Sequence, residues 1–156
     1  MKRTLERSLA SFYAVALTLG GASACGQPPS VEQQIIATIR SMEAKIEAGE
    51  SRRFMQHVAA GFEGQQGAMT RQQVHALVLF QLKRYQRLRA QLLPISVAPE
   101  SEVAARARFR ALVSGGPEWI PESGQLYEFE TRWVRENDEW LLQSARWRPV
   151  PLDEVL

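Results

Sequence analysis

With 156 residues and 45% apolar side chains, the chain is long enough to bury one core and too short for two average domains. A single cysteine excludes an intramolecular disulfide, so the fold must hold by packing alone. The net charge of +2 is no nucleic-acid footprint, because residues 1–24 hold three basic and one acidic group and the remaining 132 residues hold 16 of each sign.

Lys2, Arg3 and Arg7 precede an apolar run of eleven residues, Leu9 to Leu19, well short of the roughly 20 that cross a bilayer. Small residues, Gly20 to Ala24, then lead to Cys25. This order predicts an export signal over residues 1–24. Ala22-Ser23-Ala24-Cys25 resembles the lipobox of bacterial lipoproteins, with alanine where leucine is commonest, and the resemblance implies cleavage before Cys25 and acylation of its thiol. A bare lone thiol in an oxidising compartment would have no partner. The expected location is the bacterial cell envelope, lipid-anchored on the periplasmic side of the outer membrane. Residues 25–30 would be the lipidated cysteine and a tether, 31–150 the domain, and 151–156 a tail.

Ser30 with Gln33 has capping-box spacing, and Ile35, Ile36, Ile39, Met42 and Ile46 form one apolar stripe ending near Gly49, which predicts a first helix. A second helix is expected from Ser51, carrying Phe54, Met55 and Val58 inward and ending by Gly61. Phe62 to Met69, rich in glycine, reads as a loop or a short irregular strand. Thr70 with Gln73 repeats the capping box and opens a third helix to about Tyr85, with Val74, Leu77, Val78, Leu82 and Tyr85 on its apolar face.

The period then changes to two. Leu88 to Val97 is predicted as a strand with a bulge at Leu92-Leu93 and an irregularity at Pro94. In residues 103–113, Val103, Ala105, Ala107, Phe109, Ala111 and Val113 share one face and Arg106, Arg108 and Arg110 the other. A loop from Gly115 to Gly124 leads to the alternation of Tyr127, Phe129, Thr131 and Trp133 with Glu128, Glu130 and Arg132. Asn137-Asp138 should turn the chain into a last strand, Trp140 to Trp147. The pattern is α+β, with three N-terminal helices on a curved antiparallel sheet of about four strands.

The opening stripe Ile35 to Gly49, the segment Gly61-Phe62-Glu63-Gly64 running through Gly67 to Met69-Thr70, and the ending Trp133, Asp138-Glu139-Trp140 and Ala145-Arg146-Trp147 resemble the NTF2-like superfamily. That resemblance implies a cone-shaped fold with an apolar pocket, hosting isomerases, cyclases and binding modules alike. Its enzymes use an acid or histidine base in the cone with a hydrogen-bond donor opposite. Glu63 and His57 are the candidate bases here, and Tyr127 the candidate donor.

Other features point to structure. The three strand arginines should pair across strands with Glu128 and Glu130. His57 and His75 lack metal-ligand spacing, and no cysteine joins them, so no metal or other cofactor is expected. The pocket residues expected from the apolar sheet face are Phe109, Tyr127, Phe129 and Trp133, with Trp119 in the loop as a lid or contact residue. The sequence favours an envelope lipoprotein whose non-catalytic domain binds a small apolar ligand or a protein partner. Alternatives are an isomerase, dehydratase or hydrolase working in the cone, and a structural dimer pairing through the outer sheet face. The membrane is an expected partner through Cys25, and nucleic acid is not.

Overall fold

A computed structural model of the chain describes residues 27–85, 87–116 and 123–151. The capping boxes form as expected. The Ser30 hydroxyl accepts from the Gln33 N–H and the Gln33 side chain accepts from the Ser30 N–H, opening α1 (Val31–Glu47). The same exchange between Thr70 and Gln73 opens α3 (Arg71–Arg84). Between them α2 (Ser51–Gln56) ends earlier than its apolar residues suggest, and Val58 belongs to a strand.

Among the described residues seven strands form one sheet in the order β2-β1-β7-β6-β5-β3, with β4 also paired to β5, where the sequence predicts about four. The difference begins in the glycine-rich segment, which forms β1 (Val58–Gly64) and β2 (Met69–Thr70). Gln65, Gln66 and Gly67 all take positive φ between these strands, a tight reversal that glycine enters at no steric cost. Strand β1 pairs in parallel with β7 (Glu139–Pro149), so the sheet is not wholly antiparallel.

The predicted strand over residues 88–97 is two, β3 (Leu88–Leu92) and β4 (Ser96–Pro99), both antiparallel to β5 (Ala104–Gly115). Leu92 pairs with Ala111 and Ser96 with Arg108, which puts one more residue on the β3–β4 side than on β5. The bulge expected at Leu92-Leu93 falls later: Leu92 is in register and the Leu93 N–H donates to the Arg110 carbonyl, so the extra residue lies within 93–95, beside the irregularity expected at Pro94, which has no N–H to give. Val103 precedes β5 and is exposed, outside the inward set predicted for it. Strand β6 (Ser123–Glu136) turns into β7 through Asn137 and Asp138 at φ 50° and 64°, the left-handed conformation of a tight hairpin.

Ile35, Ile39 and Met42 of α1 are buried with Met55, Val58, Phe62, Val74, Ala105, Ala107, Trp133, Trp140, Leu142 and Ala145 in one core between the helices and one sheet face. Arg71, at the start of α3, donates to the carbonyls of Met55 and Val58, tying α3 to the α2–β1 junction. Helix α1 also crosses the sheet, from β7 to the β3 edge. The Trp140 indole N–H reaches Gln34 near its start, and near its end Glu43 and Glu47 accept the N–H groups of Leu92 and Ala90 on the outer edge of β3.

Candidate functional site

The inner face is built in rows, because paired residues of neighbouring strands point the same way. Ala105, Trp133 and Leu142 form one row and Ala107, Thr131 and Ala145 the next, and all six are buried. Phe109, Phe129 and Trp147 form the third row, and Ala111, Tyr127 and Pro149 the fourth. Phe109, Phe129, Tyr127 and Trp147 are only half-buried. The Phe109 and Phe129 rings stack at 5.1 Å with an interplanar angle of 11°, and Tyr127 tilts against Phe129 at 6.3 Å. Alanines on β5 leave room beside the large β6 side chains.

The helices flank these aromatics. Helix α1 packs on β3, β4, β5 and β7, while α3 packs on β1, β2 and α2 at its start. At its far end Tyr85 lies on the inner face of Gly115, where a Cβ would come within 2.4 Å of the Tyr85 ring. Only glycine allows that approach. Helix α3 therefore runs from the β1 edge to the end of β5.

The buried polar groups of the deep rows are spent on one another. The Trp133 indole N–H donates to the Thr131 hydroxyl at 2.9 Å, and that hydroxyl donates to the Ala107 carbonyl at 3.0 Å. On α3 the accounting differs. Gln81 has a buried side-chain oxygen with no partner among the described residues, and it shares the inward side of α3 with Val74, Val78 and Tyr85. His75 also has a buried, unpartnered Nε2, on the flank of α3. Gln81 was legible as a polar residue in phase with an apolar stripe. The predicted apolar face, Val74, Leu77, Val78, Leu82 and Tyr85, does not include it.

Glu63 and His57 stand away from this patch. Phe62 and Gly64 on either side of Glu63 are buried while Glu63 is exposed, so its carboxylate points off the opposite face. His57 follows α2, its Nε2 3.4 Å from the Ser41 hydroxyl and its carbonyl accepting the Leu142 N–H. Burial pushes its imidazole below the ordinary value of 6.5, Glu139 opposes that shift, and Lys45 reinforces it. Val58, beside His57, pairs with Leu142 and so with Trp133, six residues along β6 from Tyr127. Six residues of strand span about 20 Å, too far for His57 and Tyr127 to act on one small molecule. The structure brings Phe109, Tyr127 and Phe129 together on the open rows and puts Trp133 in the closed one. Trp119 and Cys25, with the export signal, lie outside the described residues. No group of three or more His, Cys, Asp or Glu side chains suited to a metal ion occurs among the described residues.

The outer face carries a charge ladder. Glu100 bridges Arg106 and Arg132 at 2.6 and 3.2 Å, Glu130 bridges Arg108 and Arg146 at 3.7 and 2.6 Å, and Glu128 bridges Arg110 and Arg148 at 3.3 Å each. Glu128 and Glu130 are the cross-strand partners expected for Arg110 and Arg108. Glu100, from the loop after β4, is a third that strand alternation could not show.

No family model and no curated protein matches the chain. Solved structures do. A candidate scytalone dehydratase from Novosphingobium aromaticivorans superposes with a TM-score of 0.67 at 11% identity, covering 77% of this chain and 84% of its own. An NTF2-like protein with a cystatin-like fold from the same organism gives 0.64 at 14%, covering 78% and 82%. ActVI-ORFA from Streptomyces coelicolor gives 0.63 at 15%, covering 81% and 99%. At these identities the likeness speaks for architecture, and the architecture is the NTF2-like, cystatin-like α+β fold.

Proposed function

We propose that the domain is a binding module that takes a small, flat, apolar ligand against the half-buried aromatic rows, held at the cell envelope by a lipid on Cys25. The observation that carries the ligand reading is the stacked Phe109–Phe129 pair with Tyr127 and Trp147. These four aromatics are left half-covered on a concave face whose deeper rows are closed. Aromatic surface left accessible between flanking helices is the usual lining of a small-molecule site. The outward carboxylate of Glu63 and the distant His57 favour binding over acid–base work, which needs a proton carrier within about 3 Å of the reacting atom. The envelope location rests on the sequence of residues 1–25 alone.

Equilibrium dialysis of the purified protein against 2-methylnaphthalene tests the ligand reading. Saturable one-to-one binding is expected, weakened at least about tenfold by Phe129→Asp and unchanged by Phe80→Asp on the exposed side of α3. Absence of saturable binding to the wild type, or equal losses in both variants, would overturn it.

A further inference from the structure

A buried acceptor with no donor costs about 1–3 kcal/mol, and native folds retain few of them without a use. The Gln81 side-chain oxygen is one. Three observations place it over the open rows. Its helix neighbours in phase, Val74 and Val78, are packed in or against the core. One turn further on, Tyr85 rests on Gly115, which shares its sheet face with Phe109 and, through the β5–β6 register, with Tyr127 and Phe129. And α3, which packs on β1 and β2, ends where Tyr85 meets Gly115, so the turn holding Gln81 lies between the β1 edge and the end of β5.

The site therefore combines an apolar stacking platform with a buried carbonyl oxygen that has no hydrogen-bond partner among the described residues. We propose that Gln81 determines specificity: its side-chain oxygen accepts a hydrogen bond from a hydroxyl or N–H on the ligand, so flat apolar molecules bearing one donor are selected over donorless molecules of the same shape. This rests on the ligand reading above and adds the polar half of the recognition. A donorless ligand stacks on Phe109 and Phe129 and leaves the acceptor unpaired. A donor-bearing one repays the cost already built into the empty fold.

The test compares 2-naphthol with 2-methylnaphthalene in equilibrium dialysis, using wild type, Gln81→Leu and, on the exposed side of the same helix, Gln72→Leu. Wild type should prefer 2-naphthol by about tenfold, the worth of one hydrogen bond. Gln81→Leu should cut that preference to about one while binding 2-methylnaphthalene within about twofold of wild type, and Gln72→Leu should keep it. Because the orphaned oxygen is gone, the ligand-free Gln81→Leu protein should melt no lower than wild type. If both probes bind and Gln81→Leu keeps the preference, or Gln72→Leu abolishes it, the assignment of Gln81 fails and the ligand reading stands. A lowered melting temperature for Gln81→Leu would mean that the fold uses the amide, which also overturns the assignment. If neither probe binds wild type, both readings fall together.

Discussion

The two faces of β5, β6 and β7 are made from alternate residues of the same three strands and hold together by different physics. On the inner face Trp133 is 1% exposed and Ala105 fully buried, and the polar atoms of Thr131 and Trp133 satisfy each other. On the outer face each of three glutamates is shared by two arginines whose side chains are 40–76% exposed. Burial makes the first face nearly irreplaceable atom by atom. Solvent screening makes each pair on the second worth at most about 1 kcal/mol.

Truncating Trp133 to alanine attacks the inner face where it is most closed. A loss of about 3–5 kcal/mol is expected in urea unfolding, since the change opens a cavity and leaves the Thr131 hydroxyl without its donor. A loss under 1 kcal/mol would mean that the deep rows are not the core. The contrast can be sharpened by pH at His57. Its imidazole titrates below 6.5 when folded, so between the folded and unfolded values the unfolded chain binds more protons. Stability should thus be full above about pH 6.5 and fall as the solution is acidified through the folded value. His57→Gln should flatten that part of the curve, and an unchanged slope would remove the imidazole from the account. Least of all should happen at Arg108→Ala, with a change within about 0.5 kcal/mol. A loss comparable to that of Trp133→Ala would mean that the outer ladder, too, is buried, by association with another surface.

Much of this contrast was legible in the sequence. A period of two over residues 103–113 and 127–133 separates the inward alanines and aromatics from the arginines and glutamates, with Val103 the exception, and the capping boxes at Ser30 and Thr70 mark two helix starts to the residue. Strand β1 was only partly legible, since residues 58–61 read as the end of a helix and Phe62 to Met69 as a loop or a short irregular strand. Its buried residues, Val58, Ala59, Phe62 and Gly64, do not alternate regularly, and its parallel partner β7 lies some eighty residues away, from Leu142 to Ala145. Glycines 61, 64 and 67 gave that stretch the look of a loop. The site was half legible: periodicity alone gave Phe109, Tyr127 and Phe129 a common face. It could not show that Trp133 is sealed below them, nor that Gln81 hangs above without a partner, since both depend on how α1 and α3 cross the sheet.

The carboxylates of Glu43 and Glu47 take up the outward N–H groups of Leu92 and Ala90, a use of helix side chains that nothing in the strand pattern announces. A free row of such donors is a template on which a foreign strand can grow. Here two anions one helical turn apart already occupy it, and at the opposite end of the sheet β2 is only two residues long. A strand approaching β3 at these positions must therefore displace two helix carboxylates before it can pair, and one approaching β2 finds only two residues to pair with.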